Sequence, residues 1–146
     1  MLRAIKKRMK DQRGLTLVEL LAVIVILGII AAIAVPSIGN VVQKSKEDAI
    51  KAEALQIINA ARLFSIETSI PSGGVSQVEL EPKYLDSTDN FDEYSVKYVG
   101  NELLLTGDGK NGSLVIKFKS ASKDAINKDA GSGNRTIPAP APTQPE

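Results

Sequence analysis

The stretch from Leu15 to Ile38, LTLVELLAVIVILGIIAAIAVPSI, limits what this chain can fold into more than any other part of it. It carries one charge, Glu19, and otherwise nothing more polar than Thr16 and Ser37. As a helix rising ~1.5 Å per residue it spans roughly 36 Å, enough to cross a bilayer. A carboxylate held at membrane depth costs about 2.5 to 3.5 kcal/mol on insertion scales, so Glu19 needs either water at the membrane edge or a counter-charge. No base inside the run can supply one.

The preceding residues, MLRAIKKRMKDQRG, set Arg3, Lys6, Lys7, Arg8, Lys10 and Arg13 against Asp11. A basic flank feeding an apolar helix follows the positive-inside pattern, which puts the N-terminus in the cytoplasm and everything after Ile38 outside. A secretory signal starts with similar charge, but its core is shorter than this run, and no small-residue cleavage site follows here. The candidate cut lies on the cytoplasmic side, after Gly14.

These residues carry a resemblance. Arg13-Gly14 followed by Leu15-Thr16-Leu17-Val18-Glu19 and an apolar helix resembles the processing motif of type IV pilins and their pseudopilin relatives. The resemblance implies cleavage between Gly14 and Leu15 by a prepilin peptidase and methylation of the new amine on Leu15. It also implies that Glu19 pairs with that amine in a neighbouring subunit. Leu15 departs from the phenylalanine or methionine that is commonest there. Gly28 and Pro36 fall where pilins often carry a glycine and a proline, and in that family the stretch between them can lose helical bonding inside the fibre. The likeness is close over about the first 45 residues and architectural beyond. Within the family the resemblance is to a Gram-positive-like major pilin; the C-terminal disulfide of many Gram-negative pilins and the cysteine pair of many Gram-positive competence pseudopilins are both missing here.

The chemistry of the motif stands without the family. Cleavage frees an α-amine with an unperturbed pKa of about 8, mostly protonated at neutral pH and able to meet the carboxylate of a staggered copy. A charge left unpaired in lipid is penalised heavily, so such a pair sets register more than it adds stability. Pro36 cannot donate to the carbonyl of Ala32 and its ring crowds it, so the helix is expected to kink or open there. Gly28 adds a second weak point, worth up to ~1 kcal/mol against alanine.

Beyond Pro36 the pattern turns amphipathic. Ile50, Ala54, Ile57, Ala61 and Phe64 recur at alternating steps of four and three, the stripe of a helix with one buried face. Gln43, Lys44, Lys46, Glu47, Asp48, Lys51, Glu53, Gln56, Asn59 and Arg62 are assigned to a solvated side, with Glu47 and Lys51 in weak mutual support. The helix is expected to end near Ile70, before Pro71-Ser72-Gly73-Gly74. Residues 75–92 read as a loop with one helical turn, anchored by Val78, Leu80, Tyr84 and Leu85. Asp86, Asp89, Asp92 and Glu93 lack the spacing of a calcium loop and read as solvated.

Three strands are expected next. Glu93 to Val99 places Tyr94, Val96 and Tyr98 on one side, and Gly100-Asn101 makes a two-residue hairpin turn. Glu102 to Thr106 follows, then a looser turn over Gly107-Asp108-Gly109-Lys110-Asn111-Gly112. Ser113 to Lys119 puts Leu114, Ile116 and Phe118 inward and Lys117 and Lys119 outward. The glycine-rich segment is not a phosphate loop, because no lysine-serine/threonine ending and no helix follow it. Residues 120–130 are left as one or two helical turns or an edge segment. The end, GSGNRTIPAPAPTQPE, reads as a flexible or polyproline-like tail without a core.

The expected fold is therefore α+β: a long N-terminal helix, membrane-spanning in its first half and amphipathic in its second, packed on a small three-stranded antiparallel sheet. Residues 1–14 form a removable leader, 15–38 the membrane or fibre-core helix, 39–130 the extracellular domain and 131–146 the tail. If residues 15 to about 69 form one interrupted helix it is roughly 80 Å long, so its front half must bury against lipid or against copies of itself.

Composition narrows the function. The first fourteen residues hold six bases and one acid, leaving twelve bases against sixteen acids in the processed chain. That mildly acidic balance gives no support to nucleic-acid binding, which needs clustered Lys and Arg. There is no cysteine, histidine or tryptophan, which removes disulfides, the usual metal ligand and the usual general base. No cofactor, metal or catalytic residue is expected. The implied partners are copies of the chain, a prepilin peptidase, an assembly platform with its ATPases, and membrane lipid before assembly. The primary expectation is a type IV pilus subunit, single-pass in the membrane and then extracellular. The alternative is a pseudopilin of a type II secretion or competence system. A monomeric membrane-anchored enzyme is a third reading, disfavoured by the absence of a nucleophile constellation.

Overall fold

A computed structural model describes residues 2–140, with side chains from Leu15 onward. The chain divides into two compact units at residues 41 and 42. Helix α1 (Leu2–Glu67) runs through both and contains Pro36. In the first unit the helical backbone continues across Pro36, where the helix was expected to kink or open. The missing proline N–H leaves one carbonyl unpaired, and the bonds on either side are enough to carry the helix past it. The helix ends at Glu67, three residues before the expected Ile70, with the Thr68 amide donating to Phe64 O at 2.8 Å.

The second unit holds the last turns of α1 and everything after. Strand β1 (Val75–Ser76) leads into the single turn α2 (Gln77–Leu80), followed by β2 (Phe91–Val99), β3 (Glu102–Asn111), β4 (Leu114–Ser122), α3 (Lys123–Lys128) and β5 (Arg135–Ile137). The sheet order is β1-β2-β3-β4-β5, antiparallel except for the parallel β4–β5 pair. The sheet therefore has five strands, and the expected three are its centre. The two extra strands have two and three residues, too short for an alternation to show.

The helical stripe packs where its spacing places it. Ile50, Ala54, Ile57 and Ala61 are fully buried, and Phe64 lies against the same cluster. They meet Val96, Leu105, Ile116 and Phe118 from the inner face of the sheet, with Phe91 and Phe118 ring centroids 5.5 Å apart. Of the expected loop anchors Leu80 is buried and Tyr84 and Leu85 partly so, but Val78 is 86% exposed. Val78 lies on the outer side of a single helical turn, where an apolar residue has nothing to face. On β2, Tyr94 and Val96 are buried as expected while Tyr98 is 43% exposed near the end of the sheet.

Of the expected turn over residues 107–112, residues 107–111 are strand, and the reason is packing. A Cβ added at Gly109 would lie 2.3 Å from Ile50 Cγ2 and 3.1 Å from Phe91 Cζ, and one at Gly107 would lie 3.0 Å from Tyr94 Cβ. These glycines mark close approach of a helix and a neighbouring strand, a role that composition cannot separate from turn formation. The actual hairpin turns hold Gly100, at φ +62°, and Gly112, at φ +65°.

Two register shifts explain the remaining boundary errors. Phe91 pairs with Gly109 but Tyr94 with Gly107, so β2 begins two residues before the alternating stretch from Glu93. On β4, Phe118 pairs with Gly107 but Ala121 with Leu105, and Ser120 between them has φ +52°. The extra residue moves the inward positions from even to odd numbers, so the alternation seems to stop at Lys119 while the strand continues to Ser122. Ser122 Oγ then accepts from the Ala125 amide at 3.2 Å and caps α3.

The tail expected from Gly131 also contributes to the core. Ile137 in β5 is buried, while residues 141–146, the end of the expected tail, lie outside the described residues. Glu47, assigned to the solvated side, is 6% exposed. It sits on the flank of the stripe, where the Arg135 guanidinium at the start of β5 comes within 3.2 Å of it.

Gly109→Ala is expected to destabilise the domain by about 1 to 3 kcal/mol, because its methyl group would overpack Ile50. A thermal melt of the variant indistinguishable from that of the parent would contradict this packing.

Candidate functional site

All five residues singled out in the sequence lie on α1: Gly14, Leu15, Glu19, Gly28 and Pro36. Leu15 and Glu19 are four residues apart, one above the other on the same side of the helix. Gly28 is nine residues beyond Glu19, which at ~100° per residue turns it to the opposite side. The five are therefore arrayed along an axis, not gathered in a cleft.

The surface of this rod is apolar all the way round. From Leu15 to Val42 the large side chains are all exposed: Leu15 is 64%, Leu21 61%, Ile26 57% and Ile33 71% accessible. The run has a mean hydropathy of 3.0 over its most apolar window, none of it buried, and is long and apolar enough to cross a membrane. At ~25 cal/mol per Å² of apolar surface, keeping it in water would cost on the order of tens of kcal/mol. It must be covered by something other than its own chain.

Glu19 is exposed on this surface. Among the described residues no cation forms an ion pair with it. At Gly28, and also at Gly39, a Cβ would meet nothing within 4 Å. Neither glycine is required by packing within the subunit, so any steric reason for them lies in a neighbour or in helix flexibility. Gly39 was not singled out in the sequence, although its spacing of eleven from Gly28 was there to be read.

The second unit carries open clefts. One runs along Val99, Asn101, Leu104, Ser122, Asp124, Lys128 and Ile137. A neighbouring one includes Arg62, Tyr98, Glu102 and Lys123. Nearby, Lys83 Nζ is 2.5 Å from Glu67 Oε2, and Tyr84 Oη donates to the same oxygen at 2.6 Å. Hydrogen bonds from Lys83 and then Tyr84 hold the Glu67 carboxyl below its usual pKa and raise that of Lys83. These exposed contacts tie the end of α1 to the segment after α2.

Comparison with known proteins agrees with the front end. Residues 9–35 match the family described as the prokaryotic N-terminal methylation motif. The chain is also 31% identical over 64 residues to a Vibrio cholerae protein described as type II secretion system core protein G. The match covers 44% of this chain and 44% of that relative, so less than half the length of either is compared. No solved structure matches the chain. The motif match and the partial likeness to a secretion pseudopilin both fall in with the resemblance of residues 13–19 and the apolar helix behind them to type IV pilins and pseudopilins.

Proposed function

We propose that the chain is a structural subunit, the major pilin of a type IV pilus, made as a single-pass membrane precursor with its N-terminus in the cytoplasm. A prepilin peptidase cuts between Gly14 and Leu15, and the new amine of Leu15 is methylated. An assembly platform with its ATPases then draws subunits from the membrane into an extracellular fibre that serves adhesion, motility or DNA uptake. The observation that carries this reading is the fully exposed apolar surface from Leu15 to Val42 interrupted by the single acid Glu19. Lipid and a bundle of identical helices are the two surroundings that cover such a surface, and only the bundle brings the amine of another Leu15 to Glu19.

Within the fibre, Gly28 to Pro36 is the segment we expect to lose helical bonds under packing or load, because Pro36 already leaves one carbonyl unpaired there. A second reading, a pseudopilin that builds a short fibre within a secretion system, is favoured by the likeness to the secretion core protein. Surface fibres purified from cells and composed of this subunit would support the pilus. Loss of protein secretion on deletion, with no such fibres, would support the pseudopilin.

Gly14→Ala is expected to leave most of the protein as a slower-migrating precursor on denaturing gels. N-terminal sequencing that finds Leu15 first in normal yield would end the cleavage assignment. Glu19→Ala is expected to be processed normally but to lower fibre yield several-fold, since an incoming amine then has no partner in lipid; quantitative recovery of sheared fibres checks it. A chain begun at Val42 is expected to run as a monomer in plain buffer while the processed chain requires detergent. Monodisperse elution of the processed chain without detergent would contradict the account of the apolar surface.

A further inference from the structure

The C-terminal segment returns to α1 through a group of charges that the proposed assembly does not use. Arg135 Nε and Nη2 donate to Asp129 Oδ2 at 2.9 and 2.5 Å, and Nη1 donates to Glu47 Oε2 at 3.2 Å and to the Gly133 carbonyl at 2.9 Å. Lys51 Nζ donates to the Asp129 carbonyl at 2.6 Å and lies 3.4 Å from its carboxylate. Glu47 Oε1 accepts from the Gly133 amide at 2.9 Å and from Gln43 at 3.2 Å. The four charged side chains are between 8% and 19% exposed.

The glycines before Arg135 are shaped to this group. A Cβ at Gly131 would lie 2.6 Å from Arg135 Cδ and 2.9 Å from its Nε, and Gly133 holds φ +72°. What reads in sequence as a loose Gly-Ser linker is a tight wrap around a guanidinium. Strand β5 itself is three residues long with Ile137 as its one buried apolar side chain, too little pairing to stay on a sheet edge unaided.

We propose that Glu47 and Lys51 on α1, with Asp129 and Arg135 on the returning segment, form a charge-operated clasp that holds β5 on the edge of β4 and releases it when the carboxylates are neutralised. Two acids and two bases alternate, so the closed clasp has no net charge. Protonation leaves two bases facing each other. The other groups at the site do not compensate: Gln43 does not titrate, and at the cleft beside Arg135, Lys117 is 4.0 Å from Asp108 while Lys110 is 2.8 Å from Asp92.

Burial raises the Glu47 and Asp129 pKa values, but the Gly133 amide, Gln43 and Arg135 outweigh it at Glu47, and Arg135 and Lys51 outweigh it at Asp129. Both end below their ordinary 4.5 and 3.8. Groups with depressed folded values stabilise above the unfolded value and lose that contribution as pH falls through the folded one. The clasp is therefore closed at neutral pH and opens only in acid. In a chain without cysteine it does the work of a staple across residues 47 to 135, and it opens on protonation where a disulfide needs a reductant.

Hydrogen exchange on the full chain in detergent tests the clasp, comparing parent, Glu47→Gln and Arg135→Met at neutral pH, and the parent also at about pH 3. In each perturbed case the amides of residues 133–137 and 116–118 are expected to lose about tenfold or more protection while the β2–β3 pairing keeps its own. Trypsin should then cut after Arg135 in Glu47→Gln and not in the parent. Unchanged protection at residues 133–137 in both variants and in acid would overturn the clasp. So would an equal loss across β2 and β3, which would mark the charges as part of the global core. If a variant does not fold, the acid arm on the parent decides between the same two outcomes.

Discussion

The rest of the structure depends on an apolar helical surface that its own chain cannot cover. Between Leu15 and Val42 the large side chains face outward on every side, on a helix long and apolar enough to cross a membrane. One acid in that surface is costly in lipid and informative in a bundle, because it tolerates a neighbour only where a positive charge arrives. In the function proposed above, that charge is the free amine at Leu15, and the methylation motif matched over residues 9–35 is in keeping with it.

The second half of α1 obeys the opposite rule. Its stripe is buried by its own chain, and the sheet is built around that contact. Ile50 reaches so far into the sheet that residue 109 has no room for a side chain. Gly107, beside it, gives the same close approach to Tyr94. The register shifts at Phe91–Tyr94 and around Ser120 then keep inward positions aligned as the strands twist past the helix. The sheet is thus fitted to the helix residue by residue.

Charge follows the same division. In the front half Glu19 has no ion-pair partner among the described residues, whereas in the globular unit acids are placed with partners. Glu53 accepts from the Asn90 amide and side chain at 3.0 and 2.7 Å and fixes the loop before β2. Glu47 and Asp129 share Arg135. No buried polar side-chain atom among the described residues lacks a hydrogen bond. A domain of this size without disulfides gains much of its definition from such closures, since each joins segments far apart in sequence.

Features governed by local pattern were legible in the sequence: the apolar run and its basic flank, the stripe from Ile50 to Phe64, the Gly100-Asn101 turn, and the inward row Leu114, Ile116 and Phe118. Each is set by periodicity, charge or a turn residue within a few positions of itself. What only the tertiary structure decided was partnership at a distance. Gly107 and Gly109 could be turn or close approach until Ile50 was seen against them; Glu47 could be solvated until Arg135 returned to it; and residues 135–137 could be tail until β4 offered an edge. A short strand or a buried ion pair draws its stability from groups many tens of residues away, and no local pattern records which of those groups will arrive.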